Sequence, residues 1–125
     1  MPYARHTMTT IDPSNYDAMM SIANSDDFGD FSQWSGLVLI RVIRVAEDRF
    51  LTTGGYTDKA SADANADNAS AAFGKMASLM TSTPIVREGE IVWAFDGDQS
   101  LTAGYVRHVV FTYDPGQYEA MMSYV

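Results

Sequence analysis

The sequence predicts an α+β domain built on a four-stranded antiparallel sheet, and three observations predict it. One stretch occurs twice: Tyr3-Ala4-Arg5-His6, Thr10-Ile11-Asp12-Pro13, Tyr16 and Ala18-Met19-Met20-Ser21 return as Tyr105-Val106-Arg107-His108, Thr112-Tyr113-Asp114-Pro115, Tyr118 and Ala120-Met121-Met122-Ser123. Residues 3–22 and 105–124 agree at 11 of 20 positions without a gap, against about one expected by chance, which marks an internal repeat. Second, a nearly unbroken apolar run from Leu37 to Ala46 turns at Ala46-Glu47-Asp48-Arg49 and returns over Phe50–Tyr56, the pattern of a β-hairpin. Third, apolar residues follow the helical period between Asp58 and about Met80, and a further strand comes after them.

Each copy of the repeat reads as a strand running into a helix. Its first half is rich in Thr, Val, Phe and Tyr, which suit strands. Asp12 and Asp114 then stand where a carboxylate accepts the orphan N–H groups of a first helical turn. Pro13 and Pro115 follow at the first helical position, where a missing N–H costs nothing. Tyr16, Met19, Met20 and Ala23 fall at i, i+3, i+4 and i+7, one apolar face. By strand alternation His6 and Met8 point to one face, Arg5 and Thr7 to the other.

The stretch 24–36 is small, acidic and glycine-containing, yet it carries Phe28, Phe31 and Trp34. It is either a flap over a pocket or a loop pinned to the core by its aromatic rings. The Leu37–Ala46 strand is apolar on both faces, so both must be covered. Helices cover one; a second sheet, from another subunit, is expected to cover the other. The long helix from Asp58 to about Met80 has Asp58 as its cap and Ala69, Ala72, Phe73, Met76 and Met80 as its buried stripe, with poor helix formers in its first turns that favour fraying or a kink. The following strand runs over Ile85–Phe95, with a bulge expected at Gly89.

The order is thus β-α-β-β-α-β, a ferredoxin-like split βαβ unit, followed by an extra β-α. The 102-residue period places one ferredoxin-like unit at 1–98. Residues 99–125 are an extra strand-helix repeating 3–22, packed on the same domain or on a partner subunit.

A chain of 125 residues is one domain with room for one core. No apolar run approaches a membrane span and no signal peptide is visible. The absence of cysteine removes thiolate chemistry and fits the reducing cytoplasm. A formal charge of −8 opposes binding to nucleic acid or anionic membranes.

Tyr56-Thr57-Asp58-Lys59-Ala60-Ser61-Ala62-Asp63, set after the Phe50-Leu51 strand and before a helix and the Val86–Trp93 strand, resembles antibiotic-biosynthesis monooxygenase-like domains. Arg5-His6 and Arg107-His108-Val109-Val110-Phe111 look like the openings of stress-responsive α/β-barrel proteins. Both groups belong to the dimeric α/β-barrel superfamily, and the resemblance covers about residues 3–95 in element order. It implies a homodimer whose sheets face each other and close a barrel. It also implies an oxygenase-like or cyclase-like enzyme that needs no cofactor and acts on an aromatic or polyketide-like molecule, or else a non-catalytic ligand-binding or assembly module of the same fold. The haem-degrading branch is not matched, because the second helix holds no histidine.

The candidate catalytic residues are His6 and His108, at the same place in the two copies. An imidazole titrates near neutrality and suits a general base, although it serves equally as a structural hydrogen-bonding group. The candidate substrate-binding residues are Arg41, Trp34, Tyr56 and Trp93. Arg41 and Arg44 differ by three and so point to opposite faces, which sends one of them toward an interior where it needs an acidic partner or an anion. The three aromatics line a pocket or belong to the core. No metal-binding spacing and no nucleophile triad is present.

Overall fold

The computed structural model describes residues 1–25 and 28–124; Asp26 and Asp27 of the aromatic loop and Val125 of the terminal segment lie outside the described residues. The chain divides into two units, Met1–Val92 and Trp93–Val125.

In the first unit strand β1 (Tyr3–Thr10) is followed by Asp12, the cap of the next turn. The Asp12 carboxylate accepts from the Ser14 backbone N–H at 2.9 Å and from the Ser14 hydroxyl at 2.8 Å. Pro13 opens a 3-10 turn that runs into α1 (Tyr16–Ala23), as the Asp-Pro pair predicts. The hairpin follows as β2 (Leu37–Ala46) and β3 (Arg49–Tyr56). Gly36 stands just before it at φ +80°, where any side chain would run into Ser61.

Asp58 caps the next helix, accepting from the Ser61 N–H at 2.7 Å. The single long helix expected from Asp58 to about Met80 is instead α2 (Lys59–Ala64), α3 (Ala66–Gly74) and a 3-10 turn at Ala77–Leu79. The break falls at Asn65, 3% exposed, whose amide donates to Ser61 O and to Ser35 O, each at 2.9 Å. Its side chain competes with the helical ladder and ties the aromatic loop to the helix. Asn65→Ala strands the Ser35 carbonyl and is expected to cost about 1–3 kcal/mol, read as a lowered urea midpoint at unchanged m-value.

Strand β4 (Ile85–Glu90) is shorter than the 85–95 stretch expected, and no bulge occurs at Gly89, which pairs in register with Ala4. The sheet order is β2-β3-β1-β4, all neighbours antiparallel, so the hairpin and β4 flank a central β1. The helices pack on one face. Ile11, Met19, Phe28, Phe50, Ala72 and Met76 form the core there, with Tyr3, Tyr56 and Ala62 as a second buried cluster. Phe28 meets Phe31, and Phe31 meets Trp34, edge to face at 5.4 and 4.9 Å. The described aromatics of the loop therefore pin it to the core.

In the second unit Asp114 repeats the Asp12 turn, accepting from Gly116 N–H at 2.8 Å with φ −69° and ψ 124° against −69° and 129°. It leads through Pro115–Gln117 into α4 (Tyr118–Met122). The expected second strand does not form: among the described residues, none from Trp93 onward belongs to a strand. A helix closes its hydrogen bonds within itself, whereas a strand needs a neighbour, so only the helical half of this copy folds alike in one chain.

Candidate functional site

The face of the sheet turned away from the helices is set by alternation and register. Thr7, Thr9, Phe50 and Tyr56 point to the helices; their neighbours point the other way. Across all four strands the opposite face reads as three rows. Ile43, Leu51, Met8 and Ile85 form an apolar row. Arg41, Thr53, His6 and Arg87 form the next, wholly polar. Leu39, Gly55, Ala4 and Gly89 form the third, in which three of the four positions carry no side chain beyond a methyl group. His6 and Thr53 are joined by a hydrogen bond of 3.0 Å between Nδ1 and Oγ1. Leu39 leans over Gly55, where an added Cβ would lie 3.2 Å from its Cγ. At Gly89 an added Cβ would meet nothing within 4 Å. The third row is thus a trough beside the polar row, walled at one end by Leu39.

Val42 and Arg44 point to the helix side, Arg44 lying 4.0 Å over the Tyr16 ring and donating to Glu47 O at 3.0 Å. Arg41 and Arg44 therefore do occupy opposite faces. Between sheet and helices, Met19, Met20, Phe50, Phe73 and Met76 line a cavity of about 20 Å³, room for roughly one water in an apolar setting. That space is too small for an organic ligand.

At the other end of the helix side, Arg5 Nε meets Glu88 Oε2 at 2.5 Å, and the guanidinium lies 5.9 Å from the centre of the Tyr56 ring. The Arg5 hydrogen bond holds the Glu88 carboxyl below its ordinary range, against the opposing effect of partial burial. Burial pushes the Tyr56 phenol up, with Arg5 opposing it. A depressed carboxyl contributes stability that is present above its unfolded value, near 4.5, and lost as pH falls through the folded one. Glu88→Gln is accordingly expected to flatten the stability profile below pH 4.5 and to leave its slope near pH 7 unchanged, as followed by urea unfolding across pH.

Of the residues the sequence singles out, His6 and Arg41 come together in one row. Trp34 and Tyr56 lie on the helix side, both buried in packing. Trp93 and His108 belong to the second unit, where Trp93 is exposed. Thr53 and Arg87 escaped the sequence reading. Each sits on the alternating phase of its strand that shares the His6 face, but only the ladder register puts them beside it. Among the described residues no group of three or more His, Asp and Glu is placed to hold a metal ion, and no helix is long and apolar enough to cross a membrane.

No family model matches the chain, and no curated protein matches it in sequence. Solved structures do match in shape. A protein of unknown function from Nitrosomonas europaea superposes with a TM-score of 0.62 at 20% identity, over 82% of this chain and 96% of its own. A dimeric ferredoxin-like protein from an uncultured marine organism gives 0.64 at 14%, over 78% and 93%. An antibiotic biosynthesis monooxygenase gives 0.59 at 12%, over 72% and 98%. At such identities the likeness is one of fold: this chain has the ferredoxin-like α+β fold of antibiotic biosynthesis monooxygenase-like structures, as its element order resembles.

Proposed function

We propose that two copies of this chain pack open face to open face and close an α/β barrel, and that the barrel is a cytoplasmic, cofactor-independent enzyme of monooxygenase-like or cyclase-like type acting on an aromatic or polyketide-like molecule. The observation that carries this reading is the polar row. A sheet face that served only for packing would be apolar throughout; this one sets an imidazole, a hydroxyl and two guanidinium groups side by side, next to a trough. Exposed Leu39 and Ile85 on the same face supply the reason to dimerise, and a neighbour of the same fold described as dimeric supports self-association.

In this reading His6 is the general base that takes a proton from a substrate hydroxyl, and Thr53 holds its ring through Nδ1. Trp34 and Tyr56 support the sheet and loop from behind. The strand half of residues 99–125 pairs with an outer strand of the partner's sheet, β2 or β4, where unpaired backbone groups invite addition.

The test is turnover of a panel of polycyclic phenols in air, followed by oxygen uptake and product absorbance. His6→Ala is expected to lower the rate about 100-fold or more, while Thr53→Val loses less. Binding without turnover, unchanged by His6→Ala, would instead assign the chain to a non-catalytic ligand-binding module. A wild-type chain that neither binds nor turns over any member of the panel overturns the reading.

A further inference from the structure

We infer that the ligand of the open face is a planar aromatic carboxylate, its negative group held by Arg87 beside His6 and its ring lying in the trough over Ala4 and Gly89. The inference rests on the closed barrel proposed above, and three observations lead to it.

First, no Asp or Glu occupies any position of the four strands that faces this side, although the chain as a whole carries 16 acidic and 8 basic side chains. Arg49, at the hairpin end of the face, has the turn residue Asp48 at 3.9 Å. Arg41 and Arg87 have no such neighbour: among the described residues neither forms an ion pair, and Arg87 donates only to Val86 O at 3.2 Å. Second, a two-fold interface joins the same patch on both subunits, so a partner's open face brings no carboxylate either. Closing the barrel takes water from four guanidinium groups, and their desolvation must be met by an anion. The planar fork of a guanidinium matches a carboxylate in two parallel hydrogen bonds. Third, the trough lies directly beside the charged row; Leu39 covers Gly55 at its far end, and the floor of Ala4 and Gly89 leaves space for a flat ring.

The experiment measures binding of three probes of one shape, 2-naphthoate, 2-naphthol and 2-naphthamide, to the full chain by calorimetry. The carboxylate is expected to bind at least tenfold more tightly than the amide, with an advantage that shrinks as salt rises. Arg87→Ala is expected to erase most of that advantage, and Arg41→Ala, on the opposite outer strand, to leave most of it. Gly89→Leu puts a side chain into open space, so it leaves the fold intact, checked by its unfolding curve, and is expected to block all three probes. Equal binding of the three probes, insensitive to Arg87→Ala but lost in Gly89→Leu, overturns the carboxylate while leaving the site in place. Tightest binding of the naphthol overturns it in favour of a phenol. If none of the probes binds the wild-type dimer the inference fails, and the phenol turnover assay then decides separately whether the proposed enzyme stands.

Discussion

Replacing Phe50 by alanine is expected to destabilise the first unit by about 3–5 kcal/mol and to lower its Tm by more than about 10 °C. Phe50 is 3% exposed and points from β3 into the middle of the core, stacked on Tyr16 with ring centres 5.7 Å apart and planes 16° from parallel. It borders Ile11, Met19, Ala72 and Met76, the residues that tie strand, first helix and second helical segment together. Its ring also lines the small cavity on the helix side, so truncation enlarges a void that already exists instead of letting neighbours collapse onto it. Thermal unfolding followed by circular dichroism gives the number. Phe95→Ala, at an exposed position of the second unit, serves as the control and is expected to shift stability by less than about 0.5 kcal/mol. A Phe50→Ala loss below that of a surface change would mean that the core is not centred where the strand and helices meet.

Ile85→Asp is expected to weaken self-association at least ~100-fold, about 3 kcal/mol, with little effect on the folding of each chain. Ile85 ends the apolar row of the open face and is 55% exposed in a single chain, so a carboxylate there stays in water as long as the face is open. In the proposed face-to-face dimer, two-fold symmetry would take water from two such carboxylates, one in each copy of the row formed with Ile43, Leu51 and Met8. Sedimentation equilibrium over a range of concentrations separates the outcomes. Wild type is expected to sediment as a dimer and the variant as a monomer. Unchanged association would move the interface to another surface and would leave the polar row facing solvent.

The parts of this fold legible in the sequence are those decided over a few residues. Asp12-Pro13 and Asp114-Pro115 announce their turns because a carboxylate and a ring act on the next backbone groups, and both turns form with nearly the same dihedral angles. Asp58 caps its helix for the same reason. The hairpin follows from its turn and its two apolar runs. Alternation assigns His6 and Met8 to one face, and Arg41 and Arg44 to opposite faces, before any pairing is known. The helix break was only half legible: the weak helix formers were visible, but Asn65 acts through Ser35, thirty residues away along the chain.

By itself, then, the sequence determined the order of strands and helical segments in the first unit, the caps and the face on which each of its strand residues lies, because these depend on local dihedral preference and a period of two. Tertiary structure alone decided that Arg87, 81 residues from His6, stands beside it, and that Gly89 and Ala4 line up as the floor of a trough. Register between distant strands is chosen by the fit of the whole sheet and its helices. A slip of one residue would have turned the polar row toward the core.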